Sequence, residues 1–163
     1  MPLYVYLRES FHLPYKKYQL PKPMMVMIEG GKHAFNSTDL QEYLISLVGR
    51  KTIKDSVRCG AEIYLALKKV LKENGFDANV GNEGAFAPAG LKDNEAPWQL
   101  ILQAIKNAGY EVGRDVMLSA DPAVSEIFSN GKYRLTKDGL NLSSRQLIDY
   151  FKKWIEKYPF LSL

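Results

Sequence analysis

Between Met24 and Ile28 five apolar residues stand in unbroken succession, closed by Gly30-Gly31, and such a run predicts a strand buried on both faces. From Leu40 to Val48 the apolar positions suit a strand or a helix, and the reading leans to strand, ended by Gly49. Helical spacing is clearest from Thr52 to Asn74, where Ile53, Val57, Gly60, Ala61, Tyr64, Leu67 and Leu71 share one face, Thr52 offers a cap and Gly75 a stop. The segment from Val80 to Pro88 holds too many breakers for a helix and reads as a strand running into a loop. A second helix is expected over Asn94 to Ala108, with Pro97 in its first turn and Gly109 after its end. Val116 to Ala120 reads as another strand, stopped by Asp121-Pro122, and Asn130-Gly131 marks a hairpin between Ile127-Phe128 and Tyr133-Arg134-Leu135. Ser143 with Gln146 forms a capping box for a third helix carrying Leu147, Ile148, Phe151, Trp154 and Ile155, closed before Pro159, and Phe160 to Leu163 begins a further strand. Ahead of all this, Tyr4, Tyr6, Phe11, Tyr15 and Tyr18 crowd a lead-in that Pro21 and Pro23 close.

Strands alternating with helices make this an α/β chain with helices outside a sheet, and in such sheets ligands gather at the carboxyl ends of the strands. Those positions hold Glu29, Lys32 and His33 after the first strand, Glu83 in the Gly-rich segment and Asp121 after Ala120, while Gln41-Glu42 falls in the second strand. Carboxylates brought to one sheet edge repel one another unless a cation sits among them, and the repulsion raises carboxyl pKa values towards those of a general acid. Acid/base chemistry or divalent metal binding is the expectation, against the plainer alternative of loop carboxylates in water.

Composition narrows the classes. The 163 residues are 46% hydrophobic and 25% charged, enough to bury a core. The net charge of +4 comes from scattered basic residues with no nucleic-acid signature; Lys68, Lys69 and Lys72 read as a solvated helix face. No run approaches the roughly 18 apolar residues of a membrane span, and Met1 to Arg8 do not look like a secretory signal, so a cytoplasmic protein is the default. One cysteine, Cys59, and two histidines, His12 and His33, give no zinc-type cluster, so a metal here would be held mainly by oxygen. Cys59 reads as a buried structural thiol.

Several segments, in this order, carry a family likeness: Pro23-Met24-Met25, Gly30-Gly31-Lys32-His33-Ala34, Gln41-Glu42, Gly81-Asn82-Glu83-Gly84-Ala85-Phe86-Ala87-Pro88 and Asp121-Pro122-Ala123-Val124-Ser125-Glu126. Together they resemble enolase, the phosphopyruvate hydratase of glycolysis, over nearly the whole chain. The resemblance implies a partial enolase-type TIM barrel, covering residues 23–163 after a lead-in over residues 1–22, that opens with two consecutive strands followed by two helices. The long helical stretch from Thr52 to Asn74 is accordingly expected to be broken. The implied activity is dehydration of 2-phosphoglycerate to phosphoenolpyruvate with Mg2+ stabilising charge on the substrate carboxylate. By the same resemblance Asp121 matches a magnesium ligand, Glu83 the acid that helps the hydroxyl leave, and Glu42 its partner carboxylate. His33 matches a loop histidine that closes near substrate, and Gln41 a supporting polar residue. A homodimer is implied for the full-length family.

Three positions depart from the family pattern: Glu29 stands where Asn is usual, Asn82 where Asp is usual and Ala85 where Gly is usual. Glu29 is expected to add negative charge near an anionic substrate, and Asn82 to remove a charge beside the acid. The family's remaining metal ligands, its base lysine and its phosphate-holding residues follow the position of Leu163, and a whole barrel takes about 250 residues. The expectation is therefore a fragment or split product of an enolase-type lyase, inactive alone, with unpaired terminal strands and a possible complementary half-barrel as partner. The alternative is a non-catalytic enolase-like domain that works by binding protein.

Overall fold

The computed structural model describes residues 1–14 and 20–163. The lead-in holds a helix, α1 (Leu3–Ser10), which buries none of its residues. Tyr15 and Tyr18 lie outside the described residues.

The main sheet has four strands, β1 (Met24–Glu29), β2 (Glu42–Ser46), β3 (Met117–Asp121) and β7 (Phe160–Ser162), in the order β1-β2-β3-β7. Strand β2 runs antiparallel to both β1 and β3, and only the β3–β7 pair is parallel. Two consecutive strands, then two helices, precede β3, the order the resemblance implied. The Leu40 to Val48 segment is indeed a strand. No closed barrel forms among the described residues.

Helix α2 (Ile53–Glu73) runs through all 21 residues without interruption, which corrects the expected break. Its Thr52 hydroxyl accepts the Asp55 N–H at 3.0 Å, its buried face is continuous through Cys59, Gly60, Ile63, Leu67, Val70 and Leu71, and it holds no proline. Helix α3 (Ala96–Asn107) has Pro97 in its first turn. Together the two supply the pair of helices between β2 and β3, and the Gly-rich segment, rather than a helix break, connects them.

That segment is a second correction, because Val80 to Pro88 forms no ladder strand. It makes single bridges from Phe86 to Ile28 and to Val80, and otherwise turns. A smaller antiparallel sheet follows β3, made of β4 (Phe128–Ser129), β5 (Lys132–Leu135) and β6 (Leu140–Leu142). The Asn130-Gly131 hairpin joins β4 to β5, and both turn residues have positive φ, at 52° and 75°. Strand β6 has no counterpart in the sequence reading. Helix α4 (Ser144–Lys157) begins with the expected capping box between Ser143 and Gln146.

The core lies between the helix-facing side of the sheet and the helices. Trp98 of α3 is fully buried, with its ring centroid 4.7 Å from Tyr43 on β2, 5.9 Å from Trp154 on α4 and 5.0 Å from Phe160 on β7. One indole thereby joins both ends of the chain's α/β order, an arrangement aromatic pairs favour through edge contacts. Cys59 is fully buried and free, as expected. No helix of the described residues is long and apolar enough to cross a membrane.

Candidate active site

The register of the main sheet sets the site. Glu42, the first residue of β2, stands opposite Glu29, the last of β1, and on its other side opposite Asp121, the last of β3. Three carboxylates therefore form a row across three strands, two at carboxyl ends and one at the amino end of the antiparallel strand.

His33 reaches the row by a tight excursion of the chain. Gly31 takes a positive φ of 52°, and a Cβ on Gly30 would lie 1.9 Å from Thr38 Oγ1 and 2.6 Å from the Leu40 carbonyl. The Gly30 N–H donates to the Gln41 carbonyl at 2.8 Å and Gly31 N–H to the Thr38 carbonyl at 2.9 Å, so the loop closes on itself in front of β2. Its far side is clamped by Asn94, fully buried. The Asn94 amide donates to Asp39 at 2.8 Å and to Asp138 at 2.9 Å, while its oxygen accepts the Asp39 N–H at 2.8 Å. Thr136 and the Lys137 N–H also bind Asp39. Three separated segments are tied together by one amide, a role nothing in the sequence reading assigned; the only sequence signal was an Asn at the expected helix start.

Glu83 sits in the turn from Gly81 to Ala85. Gly84 has a positive φ of 85°, and the Tyr64 hydroxyl donates to its carbonyl at 2.7 Å. Beneath the turn lies Glu29, completely buried, whose carboxylate accepts the N–H groups of Ala85 at 2.9 Å and of Glu83 at 3.2 Å. Glu29, expected to add negative charge near an anionic substrate, is buried beneath the turn, where backbone donors satisfy its carboxylate.

His33 Nδ1 is buried and makes no hydrogen bond, yet three carboxylate oxygens surround it, Glu83 at 3.7 Å, Glu42 at 3.8 Å and Glu29 at 3.9 Å. The ligand atoms of His33, Glu42 and Glu83 all lie within 4.8 Å of one another. Such a cluster favours an N–H at Nδ1 facing the carboxylates. Burial, followed by the charges of Glu83 and Asp121, holds the Glu42 carboxyl above its ordinary range, while His33 and a hydrogen bond from Gln41 pull it down. Asp121 is exposed, and its Oδ1 accepts the Ala123 N–H at 3.1 Å. Ala123 takes a left-handed φ of 45° there, so the chain folds back to leave the rest of that carboxylate open. Next to the site Lys32 pairs with Glu126.

The five residues given roles by the resemblance thus lie at one end of the sheet: the ligand atoms of His33, Glu42 and Glu83 within 4.8 Å of one another, Gln41 next to Glu42 in the chain, and Asp121 across the ladder from Glu42. Residues 17–163 match the family model of the enolase C-terminal TIM barrel domain. The chain belongs to the enolase family. The match begins within the lead-in and spans every element from β1 to β7, so the mixed sheet is the opening part of an enolase-type barrel.

Proposed function

We propose that the chain supplies the leaving-group side of an enolase-type lyase site, for the dehydration of 2-phosphoglycerate to phosphoenolpyruvate. The observation that carries this reading is the convergence of Glu42, Glu83 and His33 on one another, with Asp121 beside Glu42 in the strand register. In the step proposed, the electron pair left at C2 by proton removal forms the C2=C3 double bond as the C3–O bond breaks, and the hydroxyl leaves as water, taking a proton from Glu83. Glu42 is the neighbour whose burial and surrounding charge favour a bound proton, which keeps the carboxylate pair from being fully ionised. His33 closes over the substrate from its loop, and Gln41 fixes the Glu42 carboxylate.

The residues fit a hard divalent cation. Asp121 offers an open carboxylate oxygen, and its charge already bears on Glu42, a repulsion that a cation would relieve. Asp121 would hold the magnesium, which supplies stabilisation of the charge that builds on the substrate carboxylate. Removal of the C2 proton requires a base, and none of these residues is assigned that work. Assayed alone, the 163-residue chain is therefore expected to be silent.

The test is phosphoenolpyruvate formation from 2-phosphoglycerate with magnesium, for the chain alone and mixed with a C-terminal enolase half. Activity in the mixture, lost in Asp121→Ala, is the expected result. Silence of a mixture whose halves are shown to associate would overturn the reading in favour of a binding domain.

A further inference from the structure

Glu29 is the residue of the site with no assigned work beyond its own burial. Its carboxylate is fully inaccessible, and among the described residues the only Lys, Arg or His side chain recorded within ion-pair distance is His33. Burying a carboxylate is costly unless donors and charge compensate it. The N–H groups of Glu83 and Ala85 supply two donors, and both converge on Oε1, at 3.2 and 2.9 Å. Oε2 has only a longer contact with the Glu83 N–H, at 3.3 Å, and stands 3.9 Å from His33 Nδ1. Gly81 keeps this pocket open, since a Cβ there would fall 2.6 Å from the Glu29 carboxyl carbon and 2.8 Å from the His33 carbonyl.

The neighbours of Nδ1 decide what it carries. Glu29, Glu42 and Glu83 each present a carboxylate to it, from the end of β1, the start of β2 and the Gly-rich turn. An ionised carboxylate accepts hydrogen bonds and donates none. In a neutral imidazole the field of three carboxylates favours the proton on Nδ1, and its other nitrogen, Nε2, is then an acceptor. Since Nδ1 is buried and the side chain as a whole is 21% exposed, the exposure belongs to the other atoms of the side chain. We propose that Glu29 is a positioning residue that fixes His33 in the Nδ1–H form, leaving Nε2 as the nitrogen that meets a ligand, while its other oxygen anchors the turn that presents Glu83.

This goes beyond the lyase reading and rests on it only in taking His33 as a ligand-facing residue. Glu29 is the member of the trio best suited to the task. Glu42 is partly and Glu83 substantially exposed, so water competes at both, whereas Glu29 cannot turn away.

The substitution that separates charge from anchor is Glu29→Gln. The amide oxygen can still accept both turn N–H groups, but the NH2 that replaces Oε2 presents a donor to Nδ1 and favours the opposite tautomer. The 15N and ring-proton correlations of His33, recorded in the neutral-ring range, report the tautomer directly, and the exchange rates of the Glu83 and Ala85 amides report the turn. In the unsubstituted chain the Nδ1–H form is expected to dominate. Glu29→Gln should lower the Nδ1–H to Nε2–H ratio at least about tenfold with amide exchange unchanged within about threefold. Glu29→Ala should lose both, its two amides exchanging about tenfold faster or more. A dominant Nε2–H form in the unsubstituted chain, or a Glu29→Gln ring indistinguishable from it, would overturn the proposal. So would unchanged amide exchange in Glu29→Ala. The readout is the ring itself, so a silent dehydration assay leaves the inference standing, and a tautomer unmoved by Glu29→Gln leaves the lyase reading standing.

Discussion

Glu42 shows what the acidic row costs the fold. Burial first, then the charges of Glu83 and Asp121, raise its carboxyl pKa, and the opposing pull of His33 and Gln41 does not cancel them. A carboxyl whose folded value is raised binds its proton more tightly folded than unfolded. Its ionisation therefore destabilises the fold as pH rises through the unfolded carboxylate range, and the cost is complete above the folded value. Glu42→Gln removes that cost while keeping the side-chain shape. The variant is expected to melt higher than the unsubstituted chain at pH 7, with the difference closing towards about pH 4, where both states hold the proton. Paired thermal melts across that range check it, and an equal or lower midpoint for the variant at pH 7 would show that the ion pair with His33 dominates instead. His33, Glu83 and Asp121 could be collected from strand ends, and Gln41 and Glu42 could be singled out by family likeness. The work of Glu29 and Asn94 could not, because their partners, backbone N–H groups for Glu29 and Asp39 and Asp138 for Asn94, come close only after folding. A carboxylate beneath a turn and one beside a substrate read alike in sequence.

Among the elements, those with a local cause were legible. The Ser143–Gln146 box starts α4, Asn130-Gly131 turns the hairpin, and helical spacing runs through α2. What failed was set by distant partners. The direction of β2 follows from the short excursion through His33, which returns the chain beside β1 rather than across the sheet, and this is why Glu42 enters the row at a strand's beginning, where the strand-end rule does not look. The Gly-rich segment failed for a related reason. Gly84 serves a positive φ and Gly81 a close approach, with the Glu29 carboxyl and the His33 backbone both inside 3 Å of any Cβ added at Gly81. The side chain could swing aside, but the His33 carbonyl belongs to a loop already pinned by Thr38, Gln41 and Asn94. Gly81→Ala is expected to destabilise by about 1–3 kcal/mol through overpacking and to expel Glu29 from its donors. Chemical denaturation measures the first effect, and faster exchange of the Ala85 amide the second. A variant as stable as the unsubstituted chain would show that the turn can shift as a body.

At the scale of the whole molecule the two edges of the main sheet differ. The outer side of β1 is partly covered, since the Glu29 N–H donates to the Phe86 carbonyl at 2.9 Å and the Phe86 N–H to the Met27 carbonyl at 3.0 Å. The Gly-rich segment thus caps that edge at the end where the site lies, while Met24 at the far end is 48% exposed. Strand β7 has β3 as its only neighbour among the described residues, and Leu161 and Leu163 beside it are 52% and 43% exposed. An apolar strand with one unpaired side is a template for another strand, and charged residues are the usual protection. The 163-residue chain is therefore expected to associate as its concentration rises, through β7 more than β1. Light scattering over a dilution series should show the average mass climbing, and Leu161→Lys should hold it near the monomer value across the same series, because a lysine on an open edge resists strand addition. The substitution leaves the site untouched, so a complementary enolase half that pairs through this edge would lose affinity for the variant while Asp121 and the His33 cluster stay as they are. A monomer at every concentration would mean that β7 is shielded in solution, and the same chain would then have no free edge with which to recruit the rest of a barrel.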